Sequence, residues 1–360
     1  MEVLMLTYND WANTSWRFSK CLQLLGIDVK LYKGRKHAFG YPEQAEIHPL
    51  IAEKELKNRY PVMVDVPELK SLSKKAKIIH FTASTLVNTG INLKKKFVVV
   101  QHGGSTYRLK PKQTNAVFNP FVDHTIIQCP DLLNLGAKKE ILIYYPVDTE
   151  FIQPHFDRQD KEKLLIGHFP SRPQAKGTKS IVEVLNKLKS DSSVKDKFEY
   201  IGSTKNVKWK HQLKRVAKCD ILIETLNLKF EGKTFGEWGN QAIEAASLGK
   251  IVITNSLTPD IYKREYGQCE LNIVNNKDNL ESKLRDLFSM SDDKILEKKK
   301  KTRAWVVKNH SMKANALRLW EKVYCNFFDG ERKKAIEMRV KELEMEIKKE
   351  IGDEYTNYKS

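Results

Sequence analysis

Short apolar runs alternate with longer amphipathic stretches along the whole chain. The alternation predicts strands at 3–6, 29–32, 62–64, 78–81, 97–100, 125–128 and 141–144. Trp16, Cys21, Leu22 and Leu25 fall at helical spacing, and Gly26 stops that helix before the next strand. This order predicts a parallel sheet with helices on both faces. An irregular, polar stretch at 145–163 reads as an interdomain linker. The same grammar then restarts, with strands at 164–168, 198–201, 220–224, 251–254 and 271–274 and helices near 178–188, 207–217, 240–248 and 280–290. The expected fold class is α/β: two facing Rossmann-like domains at 1–150 and 151–313, followed by C-terminal helices at 314–360. In that tail Ile336, Val340, Leu343, Ile347 and Ile351 form a helical stripe, which suits a helix lying on a domain surface. Self-association or a membrane-surface role is the alternative.

Composition narrows the class without choosing a function. The 360 residues are 41% hydrophobic and 30% charged, as in a globular chain rather than a disordered or collagen-like one. No apolar run is long enough to span a bilayer, and MEVLMLTYNDW lacks the basic start of a signal peptide. Five cysteines, odd in number and never in a CxxC spacing, point to a reducing compartment, so a cytoplasmic location is expected. The formal charge of +18 suits a nucleic acid, an anionic membrane or a phosphorylated small molecule as partner, or solubility alone.

Four segments carry candidate chemistry, each leaving a predicted strand or opening a helix, where open α/β sheets bind ligands. Thr7 to Ser15 lacks the GxGxxG fingerprint, and its Asn13 is a candidate acceptor or phosphate contact or simply part of a helix cap. In Val100 to Arg108, Gly103 and Gly104 permit close approach to the backbone. There His102 suits a sugar hydroxyl and Arg108 a phosphate, a tight turn being the alternative. Ile166 to Thr178 places Arg172 and Lys176 in one loop, the pair of cations a diphosphate requires, a solvated turn with routine charges being the alternative. In Thr234 to Thr254, Glu244 suits the two hydroxyls of a ribose, and the amides at Gly239 and Asn240 suit sugar oxygens. Glu244 also reads as an ordinary helix residue near the favourable dipole end.

The last two segments, in this order, resemble the family-4 retaining glycosyltransferases (glycosyl transferases group 1) of the GT-B fold. The resemblance rests on GHFPSRPQAKGT, FGEWGNQAIEAASLGKIVIT and the linker residues Pro146, Val147, Asp148 and Phe151. It covers roughly residues 1–328, with the second half the specific part. It implies that Arg172 and Lys176 bind the donor's pyrophosphate, Glu244 the ribose, and the amides of Gly239 and Asn240 the donor sugar. His102, beside Gly103 and Gly104, would contact the transferring sugar near the reacting carbon. Lys176 keeps its place before glycine, whereas Ser171 occupies the family's arginine slot and Arg172 follows it. The family's first glutamate would fall on Gly236; the acid here is Glu237, one position later, and is the candidate catalytic carboxylate.

The implied function is transfer of a sugar from a nucleotide-sugar donor, a UDP- or GDP-sugar, to a glycan or lipid-linked acceptor. The resemblance implies retention of configuration and needs no metal or other cofactor. Acceptor loops are expected at 41–59 and 108–121. The displaced Glu237 and the Ser171 substitution keep a non-catalytic nucleotide-sugar-binding protein open as an alternative. The charge keeps open a modified nucleic-acid acceptor. The runs Lys74-Lys75, Lys94-Lys95-Lys96 and Lys298 to Lys301 are expected to be solvated, with peripheral contact to an anionic membrane as a further expectation.

Overall fold

The computed structural model describes residues 1–42, 45–48, 50, 62–158, 162–235 and 237–356. The strands, in chain order, are β1 (Val3–Asn9), β2 (Val29–Arg35), β3 (Glu46–Ile47), β4 (Val62–Asp65), β5 (Ile78–Phe81), β6 (Thr85–Asn88), β7 (Phe97–His102), β8 (His124–Ile127) and β9 (Glu140–Leu142). After the linker come β10 (Leu164–Gly167), β11 (Phe198–Tyr200), β12 (Ile221–Ile223), β13 (Lys229–Phe230), β14 (Lys233–Thr234), β15 (Ile251–Thr254) and β16 (Asn272–Ile273). Two compact units contain them. One is Met1–Pro146 with Ser311–Lys348; the other is Val147–His310 with the segment from Lys349.

The first unit is built on a parallel sheet in the order β3-β2-β1-β5-β7-β8-β9. Side chains alternate across it, and both faces are buried. Val3 and Met5 join one apolar cluster, while Leu4 and Leu6 join the other. The first cluster takes in Trp16, Phe18 and Leu22 of the helix Thr14–Leu24, then Met312, Leu319 and Trp320 from the C-terminal segment. The C-terminal helix Gly330–Thr356 lays Ile336, Leu343 and Ile347 on the same cluster, with Val340 beside it. A fully buried leucine or isoleucine contributes about 1.5–3 kcal/mol, which is why this stripe is seated on the domain. Arg332 adds a bidentate contact to Glu2 at 2.6 and 2.7 Å. Tyr324 meets His80 Nδ1 at 2.7 Å, tying the closing segment to β5.

The second unit has its own parallel sheet, β11-β10-β12-β15-β16, with its own core of Ile166, Ile181, Leu185, Ile221, Ile253 and Leu284. Both sheets therefore have a point where the chain reverses its direction of growth. In the first unit it lies between β1 and β5, in the second between β10 and β12. At such a point the loops leaving neighbouring strands part in opposite directions and open a crevice at their carboxyl ends.

The sequence pattern located most strands of the two large sheets, with some differences. The run at 62–64 belongs to a separate parallel ladder, β4 with β6, and not to the main sheet. The short hairpin β13–β14 and strands β3 and β6 carry too few apolar residues to register as runs. The expected helix after 314 is broken. It runs Met312–Leu319, widens into a π-helical turn at Trp320–Tyr324 and tightens into a 3₁₀ turn at Cys325–Phe327. The expected solvation of Lys298 to Lys301 fails at Lys299, which is 1% exposed and pairs with Asp220 at 2.6 Å. Lys96 likewise caps the helix Lys70–Lys75 through the carbonyls of Lys74 and Ala76.

Asp220 Oδ1 accepts from Lys299 while its Oδ2 accepts the Leu165 amide at 2.9 Å. Removing that carboxylate strands a buried ammonium. Asp220→Asn is expected to cost about 3–5 kcal/mol of stability, measured as a lower urea midpoint with an unchanged slope.

Candidate functional site

In the second unit, the residues at the reversal between β10 and β12 form one connected group. His168 follows β10, and its Nδ1 lies 2.8 Å from the Ile223 carbonyl of β12. A carbonyl only accepts, so Nδ1 carries the proton and Nε2 accepts from Thr178 Oγ1 at 2.8 Å. Burial holds the imidazole pKa down at about 4, so the ring is neutral. Glu224 follows β12 and is 1% exposed. It forms an ion pair with Lys176 through Oε1 and accepts from Thr254 Oγ1 at 3.0 Å through Oε2.

Lys176 closes a four-residue helical turn, Pro173–Lys176. Gly177 then takes a left-handed φ of 73° and turns the chain into the helix Thr178–Ser190. The expected single run from loop into helix is thus two pieces hinged at Gly177. A side chain at Gly177 would be strained by that φ and would also meet Asn227 at 2.9 Å. The Lys176 ammonium lies 5.7 Å from the Phe235 ring centre and keeps some solvent exposure. Arg172 is exposed at the start of the turn. The two cations are therefore unequal: Arg172 faces solvent, and Lys176 already holds a counter-ion.

Gly239 and Asn240 sit where the chain enters the helix Asn240–Ser247. A Cβ placed on Gly239 would lie 3.5 Å from Glu224 Oε1 and 3.8 Å from Lys176 Nζ, so the helix start adjoins the ion pair. Gly239 is the N-cap of that helix, and its carbonyl accepts from the Ala242 amide at 3.1 Å. Glu244 lies one turn further on, is 5% exposed and accepts from Trp209 Nε1 at 3.0 Å. Trp209 in turn stacks on Phe151 with centroids 5.5 Å apart.

Glu237 is placed differently. Its Oε2 accepts from Ser256 Oγ at 3.0 Å, and its Oε1 accepts from the Thr258 amide at 3.1 Å and the Thr258 hydroxyl at 2.5 Å. The carboxylate thus fastens the segment before β15's following helix to the loop that carries it. Gly236, where the family's first glutamate would fall, lies outside the described residues. So does most of the expected acceptor loop at 41–59.

The first unit has its own cluster at the reversal between β1 and β5. Asp10 accepts the amides of Ser15 at 2.7 Å and Trp16 at 3.0 Å, capping the helix Thr14–Leu24. Burial nonetheless raises its pKa. Ser15 Oγ meets Thr82 Oγ1 at 2.6 Å across the strand ends. Asn13 is buried and donates to the Pro42 carbonyl at 3.0 Å. Ser84 Oγ lies 2.9 Å from His102 Nδ1, and His102 stacks on Tyr107 at 4.2 Å between centroids. Burial lowers the His102 pKa to about 3. Gly103 packs against Gln128, whose amide oxygen would be 2.2 Å from a Cβ there, so a side chain would require Gln128 to shift. Gly104 has a φ of 65°. Arg108 is spent on Asp131 at 2.6 Å, a largely buried ion pair.

The structure groups Lys176, Gly239 and Asn240, with Glu244 a turn away, in the second unit; His102, Gly103 and Gly104 belong to the first. Glu224, His168, Ser84 and Trp209 were not singled out by sequence. Glu224 did carry a signal, as a carboxylate ending an otherwise apolar strand. Ser84 carried none, because its left-handed φ of 55° at a non-glycine residue cannot be read from a serine.

Two tests follow. Between the ordinary histidine pKa and about 4, the unfolded chain binds protons that buried His102 and His168 refuse. Stability is therefore expected to rise with pH across that window and to fall on acidification below about pH 6.5. The ¹⁵N signals of both rings should stay neutral from pH 8 to pH 5. For the ion pair, Lys176→Met should lower the melting temperature, because it strands the buried Glu224 carboxylate. Adding Glu224→Gln should restore the melting temperature, as read by calorimetry.

No family model matches the chain, and no curated protein matches it in sequence. Solved structures do match in fold. A glycosyltransferase from Rickettsia africae ESF-5 aligns over 91% of this chain and 98% of its own, at 14% identity and a TM-score of 0.57. Sucrose-phosphate synthase from Thermosynechococcus elongatus aligns over 89% and 98%, at 12% identity and 0.57. Anabaena HepE in complex with UDP-glucose aligns over 90% and 99%, at 11% identity and 0.57. At these identities the likeness is one of fold, and the chain has the GT-B fold of two Rossmann-like units.

Proposed function

We propose that the protein transfers a sugar from a nucleotide-sugar donor, a UDP- or GDP-sugar, to a glycan or lipid-linked acceptor, with retention of configuration and without a metal. The observation that carries this reading is the group at the second unit's reversal point. A lysine beside the start of an eight-residue helix, with an exposed arginine opening the lysine's own turn, lies where doubly wound sheets bind ligands. The fold is shared with structures solved with UDP and UDP-glucose, which supports the same donor class.

In this reading the donor's diphosphate takes the Lys176 ammonium, with Arg172 closing from the solvent side. Glu224 keeps the ammonium aimed at that position before the donor arrives. As the bond from anomeric carbon to phosphate oxygen breaks, negative charge grows on the diphosphate. Fixed donors gain most there, because their reorganisation cost was met on folding. Glu244 accepts the ribose hydroxyls, steadied by Trp209, and the Gly239 and Asn240 amides meet the donor sugar. His102, in the first unit, is neutral and buried and suits hydrogen bonding rather than carrying charge.

The three hydrogen bonds that occupy Glu237 favour a second reading, a GT-B-like binding protein without turnover. A thermal-shift panel of UDP-, GDP- and ADP-sugars, followed by mass spectrometry of donor and acceptor mixtures, separates the two. A donor at about 100 times its Kd should stabilise the protein by about 2.7 kcal/mol. Slow donor hydrolysis or transfer should accompany it. Binding without any turnover would favour the second reading, and no shift with any nucleotide sugar would remove both.

A further inference from the structure

Trp11 is 56% exposed, on the loop that leaves β1 beside the first unit's reversal point. An isolated exposed tryptophan means little, but this one is held in place. The two residues after it, Ala12 and Asn13, adopt left-handed φ values of 54° and 58°, each costing roughly 1 kcal/mol or more at a non-glycine residue. Asn13 is tied to Pro42 and Asp10 to the helix that follows. Those ties bring the β1 loop against the loop leaving β2. There His37 meets Trp11 edge-on at 5.8 Å and contacts Phe39 at 5.0 Å and Tyr41 at 5.2 Å. The three rings are only half-buried themselves, so the cluster is a surface feature and not part of the core.

Cations lie alongside. Lys33, Arg35 and Lys36 fall within five residues ending at His37, and Arg35 and Lys36 are exposed. Arg35 is oriented by the Tyr8 hydroxyl and ring, 4.6 Å from the ring centre, and pairs in register with Asn9. The neighbouring carboxylate, Asp10, is turned inward to backbone amides.

Resting on the proposed function, we infer that Trp11 and His37, flanked by Arg35 and Lys36, form the platform for a saccharide that carries an anionic group, the acceptor of the transfer. The apolar face of a pyranose ring stacks on an indole while its hydroxyls stay in water, and a guanidinium beside it pairs with phosphate or carboxylate. A nucleic-acid strand fits less well. It needs successive ring faces along a groove, whereas these rings meet at steep angles of 57° to 81°.

The test is capture of the full-length protein on a glycan array bearing neutral, phosphorylated and uronic-acid saccharides, with calorimetric titration of UDP-glucose in parallel. Wild-type protein should be retained on anionic glycans, and the phosphorylated and uronic arms identify the anion. Trp11→Ala should reduce retention at least about tenfold, equivalent to ~1.4 kcal/mol. Trp11→Phe, which keeps a stacking face, should restore most of it and guards against a folding defect. Arg35→Ala with Lys36→Ala should remove the preference for charged over neutral saccharides. Equal retention of wild type and Trp11→Ala would overturn the platform, as would retention on neutral glycans alone. Retention on immobilised poly-dT that disappears in Trp11→Ala would overturn it in favour of nucleic acid. Donor binding with no glycan retained defeats the platform alone; absence of donor binding defeats the proposed function.

Discussion

A parallel sheet buried on both faces has no room for polar chemistry except at its ends. That constraint governs both units. In β1, alternate residues Val3 and Met5, Leu4 and Leu6 go to opposite apolar clusters, so nothing along the strand is free to meet a ligand. Polar groups gather where the strands stop: Asp10, Thr82, Ser84 and His102 in one unit, His168, Glu224, Thr254 and Lys176 in the other. The reversal of strand order then decides which strand ends have space above them. Polar side chains are concentrated there because the rest of each sheet is committed to burial.

The Lys176–Glu224 pair shows what this placement does to charge. An ammonium alone at a strand end would be a strong anion site, yet a flexible lysine would also sample many positions. Glu224, itself fixed by Thr254, narrows those positions at the cost of neutralising the charge it holds. A diphosphate with more than one negative charge can share the ammonium with that carboxylate. A single carboxylate ligand has less to offer in exchange. In the proposed function the pair favours polyanions, and the exposed Arg172 supplies the remaining attraction.

The overall +18 takes on a different meaning once the side chains are placed. Lys299 and Lys96 are structural, the first within a buried ion pair and the second on helix-end carbonyls. Arg108, a candidate phosphate contact by sequence, is held by Asp131. No helix among the described residues is long and apolar enough to cross a membrane. The clustered cations that stay exposed beside aromatic rings, Arg35 and Lys36, are a small part of the total.

The strand pattern, the position of Gly26, the two-unit organisation and the strand-to-helix segments that carry Lys176 and Glu244 could all be read from the chain, because burial and periodicity are local properties of sequence. The amphipathic stripe at Ile336, Leu343 and Ile347 was equally plain, but a stripe names no partner, and only the packed core shows that it shares one cluster with Leu22 and Trp320. Likewise, a lysine in a loop announces a charge but not its counter-ion. Glu224 is 48 residues from Lys176, and Thr82 is 67 from Ser15. Such pairings arise from strand order, which depends on packing between distant segments. The sequence by itself determined the elements and the kinds of chemistry available. The tertiary structure decided which charges remain free, because pairing and desolvation act between residues that only the fold makes neighbours.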